Sequence, residues 1–278
     1  MRDTHDDPIQ IDINAALAEL QDRTHSELAN PVEIIDCDTF PDSLYSDARK
    51  WKRVEKVVAV VADLKGSTRL NFSKHANTSA RLYEAVTGGL VRMVMPFEPD
   101  FVDIQGDGLF ALFHGTRRFE RAFCAAVSMK SFGELVLEPA IAQQFSDRFP
   151  DTGIKVGMAV GTLVAKNVGV HGTNEPVWAG KPVNWASKCA QVADKHQLIV
   201  TNGVWNQLKD NDYVVWSCGC PSGLPQPLWK AVRVEKLPED EVECRVLNSE
   251  WCPKHGSEFC QAILDGDKDR DDVSEQAA

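Results

Sequence analysis

Residues 57–62 read VVAVVA, and Asp63 follows at once. Six apolar residues in a row, most of them β-branched, form a strand that must be buried. The run is strand-length, far short of the roughly 20 residues that cross a bilayer. A buried strand ending in a carboxylate constrains everything else. The remaining chain has to cover it, and the acid has to sit where the strand leaves the core. With 278 residues and 43% hydrophobic content, there is enough apolar material for that cover.

Local pattern shows where the cover comes from. Apolar spacing and helix formers predict a helix over 11–29, able to cover the domain or to pair with a second copy. Residues 38–52 are polar and turn-rich. NTSARLYEAVTGGLVRMVM (77–95) has helical spacing and is stopped by Pro96 and Pro99. FVDIQ and LFALF make a hairpin around Gly106-Asp107-Gly108. A helical region from Arg117 to Phe149 is broken near Pro139. IKVGMAVGTLVAKNVGV (154–170) reads as two strands with a turn at Gly161. PVNWASKCAQVADKH is a helix, QLIVT a strand and LWKAVRVE a last strand. This alternation implies an α+β sandwich, helices packed on a mostly antiparallel sheet. The divisions are 1–52, an N-terminal helix and connection; 53–236, the main domain; 237–264, a C-terminal extension; and 265–278, an acidic tail.

Charge and cysteines exclude some function classes. A net charge of −11 argues against nucleic-acid binding, which needs a basic face. DGDKDRDDVSEQAA, from Asp265, is nearly devoid of apolar residues and is expected to be disordered. Its acids resemble a calcium loop, but Arg270 stands where glycine is needed and Gln276 replaces the closing glutamate. MRDTHDDPIQ is not a secretory signal, so the expected location is cytoplasmic, without membrane association. Cys218, Cys220, Cys252, His255 and Cys260 cluster late in the chain. Their spacing fits no paired CxxC pattern, so free thiols are expected rather than structural zinc.

The chemistry gathers at the acids. Asp63 runs into Leu64-Lys65-Gly66-Ser67-Thr68, and a following helix N-terminus would welcome an anion there. Ser67 or Thr68 can equally be an ordinary N-cap. By the period of a strand, Asp103, Gln105 and Asp107 share one face. Asp63, Asp107 and the Leu64 carbonyl make a hard oxygen site suited to Mg²⁺ or Mn²⁺, two of which can clamp a triphosphate.

Four segments, in order from about Val57 to Val234, resemble the class III nucleotidyl cyclases. VVADLKGST looks like their first metal motif and FVDIQGDGLFALF their Gly-Asp hairpin. IKVGMAVGTLVAKNVG resembles the strand pair that follows, and WAGKPVNWASKCA the segment carrying the transition-state residues. The resemblance implies two metals held by Asp63 and Asp107, with phosphates met by Lys65–Thr68 and Lys155. Asn184 and Lys188 would reach the site of a partner protomer in a head-to-tail homodimer. The implied reaction is attack of a ribose 3′-hydroxyl on the α-phosphate, giving a 3′,5′-cyclic nucleotide and pyrophosphate.

Two departures narrow the substrate. Lys188 replaces an arginine, keeping the charge but losing the planar fork. At the two base-reading positions stand Asp103, where lysine or glutamate is usual, and Val177, which makes no side-chain hydrogen bond. Asp103, expected to read the base in the opposite site of the dimer, can accept from uracil N3–H or the cytosine amine, while Val177 and Trp178 fill space. Both departures look like the pyrimidine cyclases of the bacterial Pycsar antiphage system, which signal to a separate effector. UTP is the expected substrate and CTP the alternative. Behind these stand a purine cyclase and a catalytically silent nucleotide-binding homologue.

Overall fold

The apolar run lies inside a 15-residue strand, and a sheet is built outward from both of its edges. A computed structural model of the chain describes residues 11–45, 49–67, 76–145, 151–170 and 173–274. Its elements in chain order begin α1 (Ile13–Ala29), β1 (Glu33–Cys37), β2 (Lys50–Leu64), α2 (Ala76–Val94), β3 (Phe101–Gln105), β4 (Gly108–Phe113) and α3 (Arg118–Phe132). After a π-helical turn, Gly133–Leu137, come α4 (Glu138–Phe145), β5 (Ile154–Val170), β6 (Thr173–Gly180), α5 (Lys181–Val192), β7 (Leu198–Val200) and α6 (Asn202–Leu208). The last are α7 (Asp212–Val215), β8 (Trp229–Arg233), β9 (Glu243–Leu247), α8 (Gly256–Asp265) and α9 (Asp271–Ser274).

The strands form one sheet of order β3-β4-β2-β5-β7-β9-β8, with β1 on β2 and β6 on β5. Only β1/β2 and β5/β7 run parallel. The fold is therefore α+β with a mostly antiparallel sheet. β2 feeds both faces. Val58, Val60, Ala62 and Leu64 pack with α2 and α3, while Val57 and Ala59 pack with α5. Each such valine contributes about 1.5 kcal/mol or more by leaving water. Strand alternation then sends Asp63 to the α5 side, at the end of the strand.

The structure departs from the sequence reading at three places in the fold. Residues 154–170 are one continuous strand, with no turn at Gly161. Gly161 pairs with Val57 where β2 bulges, and a Cβ there would lie 3.2 Å from Lys181 Cβ and Pro182 Cδ. The glycine makes room for the start of α5. The break expected near Pro139 is present as the π-turn at Gly133–Leu137, just before that proline in an otherwise continuous helical run, and a proline inside a helix removes a backbone donor that such a turn accommodates. Residues past 236 are no appendage, because β9 is an inner strand between β7 and β8 and α8 packs against α3. The acidic tail is ordered through 274. Arg270 is 6% exposed, donates to the carbonyls of Trp216 and Ser217, pairs with Asp272 and lies 4.5 Å over the Phe259 ring. One buried guanidinium outweighs the composition around it. Of the two roles left open for α1, covering the domain is not seen: it buries no residue and leaves Leu17, Leu20 and Leu28 exposed.

Candidate active site

The two acids meet because β4 presses against β2 at a glycine. Ala62 pairs with Leu109, and a Cβ on Gly108 would stand 2.3 Å from the Ala62 carbonyl oxygen and 3.2 Å from Asp63 Cα. No other residue type allows that approach. Gln105 pairs with Gly108, leaving a two-residue turn whose first position, Gly106, has φ +64. That is the glycine position of a type II′ hairpin, and it presents Asp107 beside the end of β2. Both carboxylates act on the Tyr83 phenol of α2, whose pKa is raised by burial and then by Asp107 and Asp63.

Charge at this point is unbalanced. Lys155, the β5 partner of Asp63, places Nζ 2.9 Å from Asp63 Oδ2. Asp107 Oδ2 is buried and accepts no hydrogen bond among the described residues. Two carboxylates with one ammonium leave a net negative charge, and a buried carboxylate oxygen without a donor is costly. A divalent cation satisfies both conditions, so the donor set fits Mg²⁺ or Mn²⁺. Leu64, the other expected ligand, buries its side chain in the core at 1% exposure, and only its carbonyl is offered at this end of β2.

The expected phosphate loop is partly engaged elsewhere. Lys65 Nζ pairs with Asp194 and, at 3.3 Å, with Asp151, while its backbone N–H and C=O bond to Gly153 and Thr152. A Cβ at Gly66 would stand 3.2 Å from the Asp151 carbonyl. Ser67 ends the described part of the loop. Thr68 and the expected junction with a helix N-terminus lie outside the described residues.

Lys65 also makes the loop acid-sensitive. Lys195 and then Lys65 hold Asp151 below its usual range, and Lys65 does the same for Asp194. Carboxylates with depressed folded pKa values stabilise fully above their unfolded value, about 3.9, and lose that contribution as pH falls through the folded value. The urea-midpoint difference between wild type and Lys65→Met is therefore expected at pH 7 and absent near pH 2. These groups are exposed, so the difference is small and shrinks with salt. A difference that persists in acid would contradict the assignment.

Base-reading candidates divide between faces. Asp103 shares a face with Phe101 and Phe110 and accepts from Gln105 Nε2 at 3.3 Å. The Trp178 ring lies 4.6 Å from Phe101 and 5.5 Å from Phe40. Val177, 40% exposed, alternates to the opposite side of β6. Within one protomer Val177 and Trp178 therefore lie on opposite sides of β6, although the sequence reading has both filling space at the base. The reason is the period of two.

Asn184 and Lys188 are one turn apart on α5. Asn184 Nδ2 donates to the Gly180 carbonyl at 3.0 Å, and Lys188 Nζ to that of Lys236 at 2.9 Å. The structure does not bring either of them to Asp63 or Asp107 of the same chain. The cleft beside Asp63 measures about 170 Å³ and is lined by Gln105, Gly108, Val183, Ser187 and Gln191. That is below the several hundred Å³ of ordinary ligand pockets. A larger cavity, about 460 Å³, lies elsewhere, among Phe123, Tyr213 and Trp251. Asp63 lines the smaller cleft, and Asp107 lies next to its lining residue Gly108 in the chain, so the smaller cleft is the candidate site. Ser187 and Gln191 escaped the sequence reading. Their i, i+4 spacing with Val183 was visible, but not which face of α5 meets the sheet.

Residues 50–220 match the family model described as the adenylate and guanylate cyclase catalytic domain. The chain belongs to this family. A uridylate cyclase of Micromonospora echinofusca is 44% identical over 273 residues, covering 96% of this chain and 89% of that protein. A uridylate cyclase of Propioniciclava tarda is 46% identical over 224 residues, covering 80% and 72% respectively. Among solved structures, the adenylyl cyclase CyaB of P. aeruginosa aligns with a TM-score of 0.58 at 15% identity, over 72% of this chain and 96% of that one. That likeness establishes the cyclase fold. Among the described residues of this cyclase, no helix is long and apolar enough to cross a membrane.

Proposed function

We propose that this chain is a pyrimidine nucleotidyl cyclase, converting UTP to 3′,5′-cyclic UMP and pyrophosphate. The observation that carries the reading is the 44% identity to a uridylate cyclase across 89% of that protein's length. The chemistry of Asp103 supports it. A carboxylate can accept from uracil N3–H. The Phe101–Trp178 aromatic pair lies along the same face of the sheet. CTP is the second candidate, because its amine is also a donor.

In this reading Asp63 and Asp107, with the Leu64 carbonyl, hold two Mg²⁺ or Mn²⁺ ions. Bound there, the ions supply positive charge that acidifies the attacking hydroxyl and neutralises the triphosphate. The chain's own groups do the rest. Lys155, released from Asp63, and the Lys65–Thr68 loop meet phosphate oxygens. Asn184 and Lys188 extend from the partner protomer of a head-to-tail homodimer, where Lys188 offers a single ammonium to charge developing on the α-phosphate. The 3′-hydroxyl gives up its proton to solvent water, the bond from the 3′-oxygen to the α-phosphorus forms as the bond to the bridging oxygen breaks, and pyrophosphate leaves. Completion by a second copy accounts for a cleft too small, in one protomer, to enclose a nucleotide. The cyclic product serves as a signal to a separate effector in antiphage defence.

Incubating the purified chain with each of the four ribonucleoside triphosphates and Mn²⁺, then identifying products by mass spectrometry, tests this directly. Cyclic UMP is expected as the main product. Cyclic CMP in its place would move the assignment to CTP, and a purine product alone would remove the pyrimidine reading. Nucleotide binding without pyrophosphate release would identify a silent homologue.

A further inference from the structure

Three cysteines and a histidine outside the cyclase cleft converge from two separate loops. The candidate ligand atoms of Cys218, Cys220, Cys252 and His255 all lie within 4.8 Å of one another. His255 Nδ1 is 3.4 Å from Cys220 Sγ and 3.9 Å from Cys252 Sγ. In tetrahedral zinc sites, with Zn–S about 2.3 Å and Zn–N about 2.0–2.1 Å, S···N separations come to about 3.5–3.6 Å and S···S separations to about 3.8 Å. The two observed distances bracket that S···N value. Cys260, the fifth member of the late cluster, is not part of the group; it lies against Cys124.

Both loops are shaped for convergence. Gly219, between the first two cysteines, has φ +79, which curls the loop so that both flanking residues reach one point. The curl is closed by Gly223 N–H to the Gly219 carbonyl at 2.6 Å and held by Ser217 Oγ, which accepts from Gly219 and Gln226 N–H. The second pair sits in the turn Cys252-Pro253-Lys254-His255, closed by Gly256 N–H to the Cys252 carbonyl at 2.7 Å. Backbone N–H groups of His255 and Lys254 are directed at Cys252, so the turn itself holds this sulfur in place.

We propose that Cys218, Cys220, Cys252 and His255 bind one Zn²⁺ in a closed structural site, through three thiolates and His255 Nδ1. Four protein ligands leave no open position, so the site is structural rather than catalytic. Thiolate and imidazole donors select zinc over the hard ions suited to Asp63 and Asp107. The two loops border the 460 Å³ cavity, so apolar packing does not fill the space beside them, and the metal fastens them instead.

The full-length chain, purified without chelator from zinc-supplemented cells, is analysed for metal content. About one zinc per chain is expected, falling at least tenfold in Cys220→Ser/Cys252→Ser and unchanged in Cys37→Ser. Removing the zinc should lower Tm by on the order of 10 °C. Should the double variant not fold, Co²⁺ is titrated into the reduced, metal-stripped wild-type chain. Thiolate-to-cobalt charge transfer with intense tetrahedral d–d bands supports the site. Absence of both zinc and that spectrum overturns it, as does a native disulfide between any two of the three cysteines. These readouts do not depend on cyclase turnover.

Discussion

Replacing Asp107 with alanine is expected to lower cyclase turnover by a factor of about 1,000 or more, because the site loses preorganised charge at the point where the reaction needs it. Stability should not fall with it. Asp107 Oδ2 accepts no hydrogen bond among the described residues, so removing it breaks none of theirs, and repulsion from Asp63 is relieved. The turn survives because its special backbone position belongs to Gly106. Tm is therefore expected to hold or rise slightly. A neighbouring group offers a further readout: the Tyr83 phenol should titrate lower in Asp107→Ala, having lost one of the charges that raise it. Mixing Asp107→Ala with Asn184→Ala protomers tests the shared site. In a twofold dimer, half of the random pairs are mixed and each carries one intact site, so about a quarter of wild-type activity returns. No return would count against an interfacial site. An inactive variant that is also unfolded would remove the catalytic reading of Asp107.

Gly157→Ala is expected to have the largest effect on the fold. The β5 strand and α5 touch backbone to backbone there. A Cβ on Gly157 would lie 2.0 Å from the Ala186 carbonyl oxygen and 2.5 Å from the Ala190 nitrogen. Neither atom is the end of a flexible side chain, so the helix has to move away from the sheet. Overpacking of this kind costs about 3 kcal/mol or more, which lowers Tm by roughly 10 °C in a chain of this size. Turnover should drop too, since α5 carries Asn184 and Lys188. Gly88→Ala is the matching control. Its nearest neighbour is the Arg92 side chain at 3.4 Å, and alanine in a helix is favoured over glycine by about 0.5–1 kcal/mol. Thermal melts of both variants decide the matter. Equal effects would mean that the Gly157 contact is looser than the structure shows.

Much of the candidate site was legible in the residues themselves. Six apolar residues followed by Asp63 define a buried strand and the place where its acid emerges. Gly106-Asp107-Gly108 between two apolar runs defines a hairpin tip. Those are local signals, carried by neighbours in the chain. The same local reading went astray at Gly161, where a glycine in a strand suggested a turn. Its real cause is the start of α5, some twenty residues later in the chain. β9 was missed for a similar reason. ECRVL is too short and mixed to announce itself, and it becomes a strand by filling the gap between β7 and β8.

The sequence by itself determined the class of fold, the two acids and the motif order that carries family membership. Tertiary structure alone decided which atoms meet: Asp63 with Lys155, Trp178 with Phe101, Arg270 with the loop at Trp216, and Cys218 and Cys220 with Cys252 and His255. The physical reason is range. Periodicity reports which way a side chain leaves its own backbone, whereas convergence depends on how distant elements pack, and no stretch of chain encodes that alone.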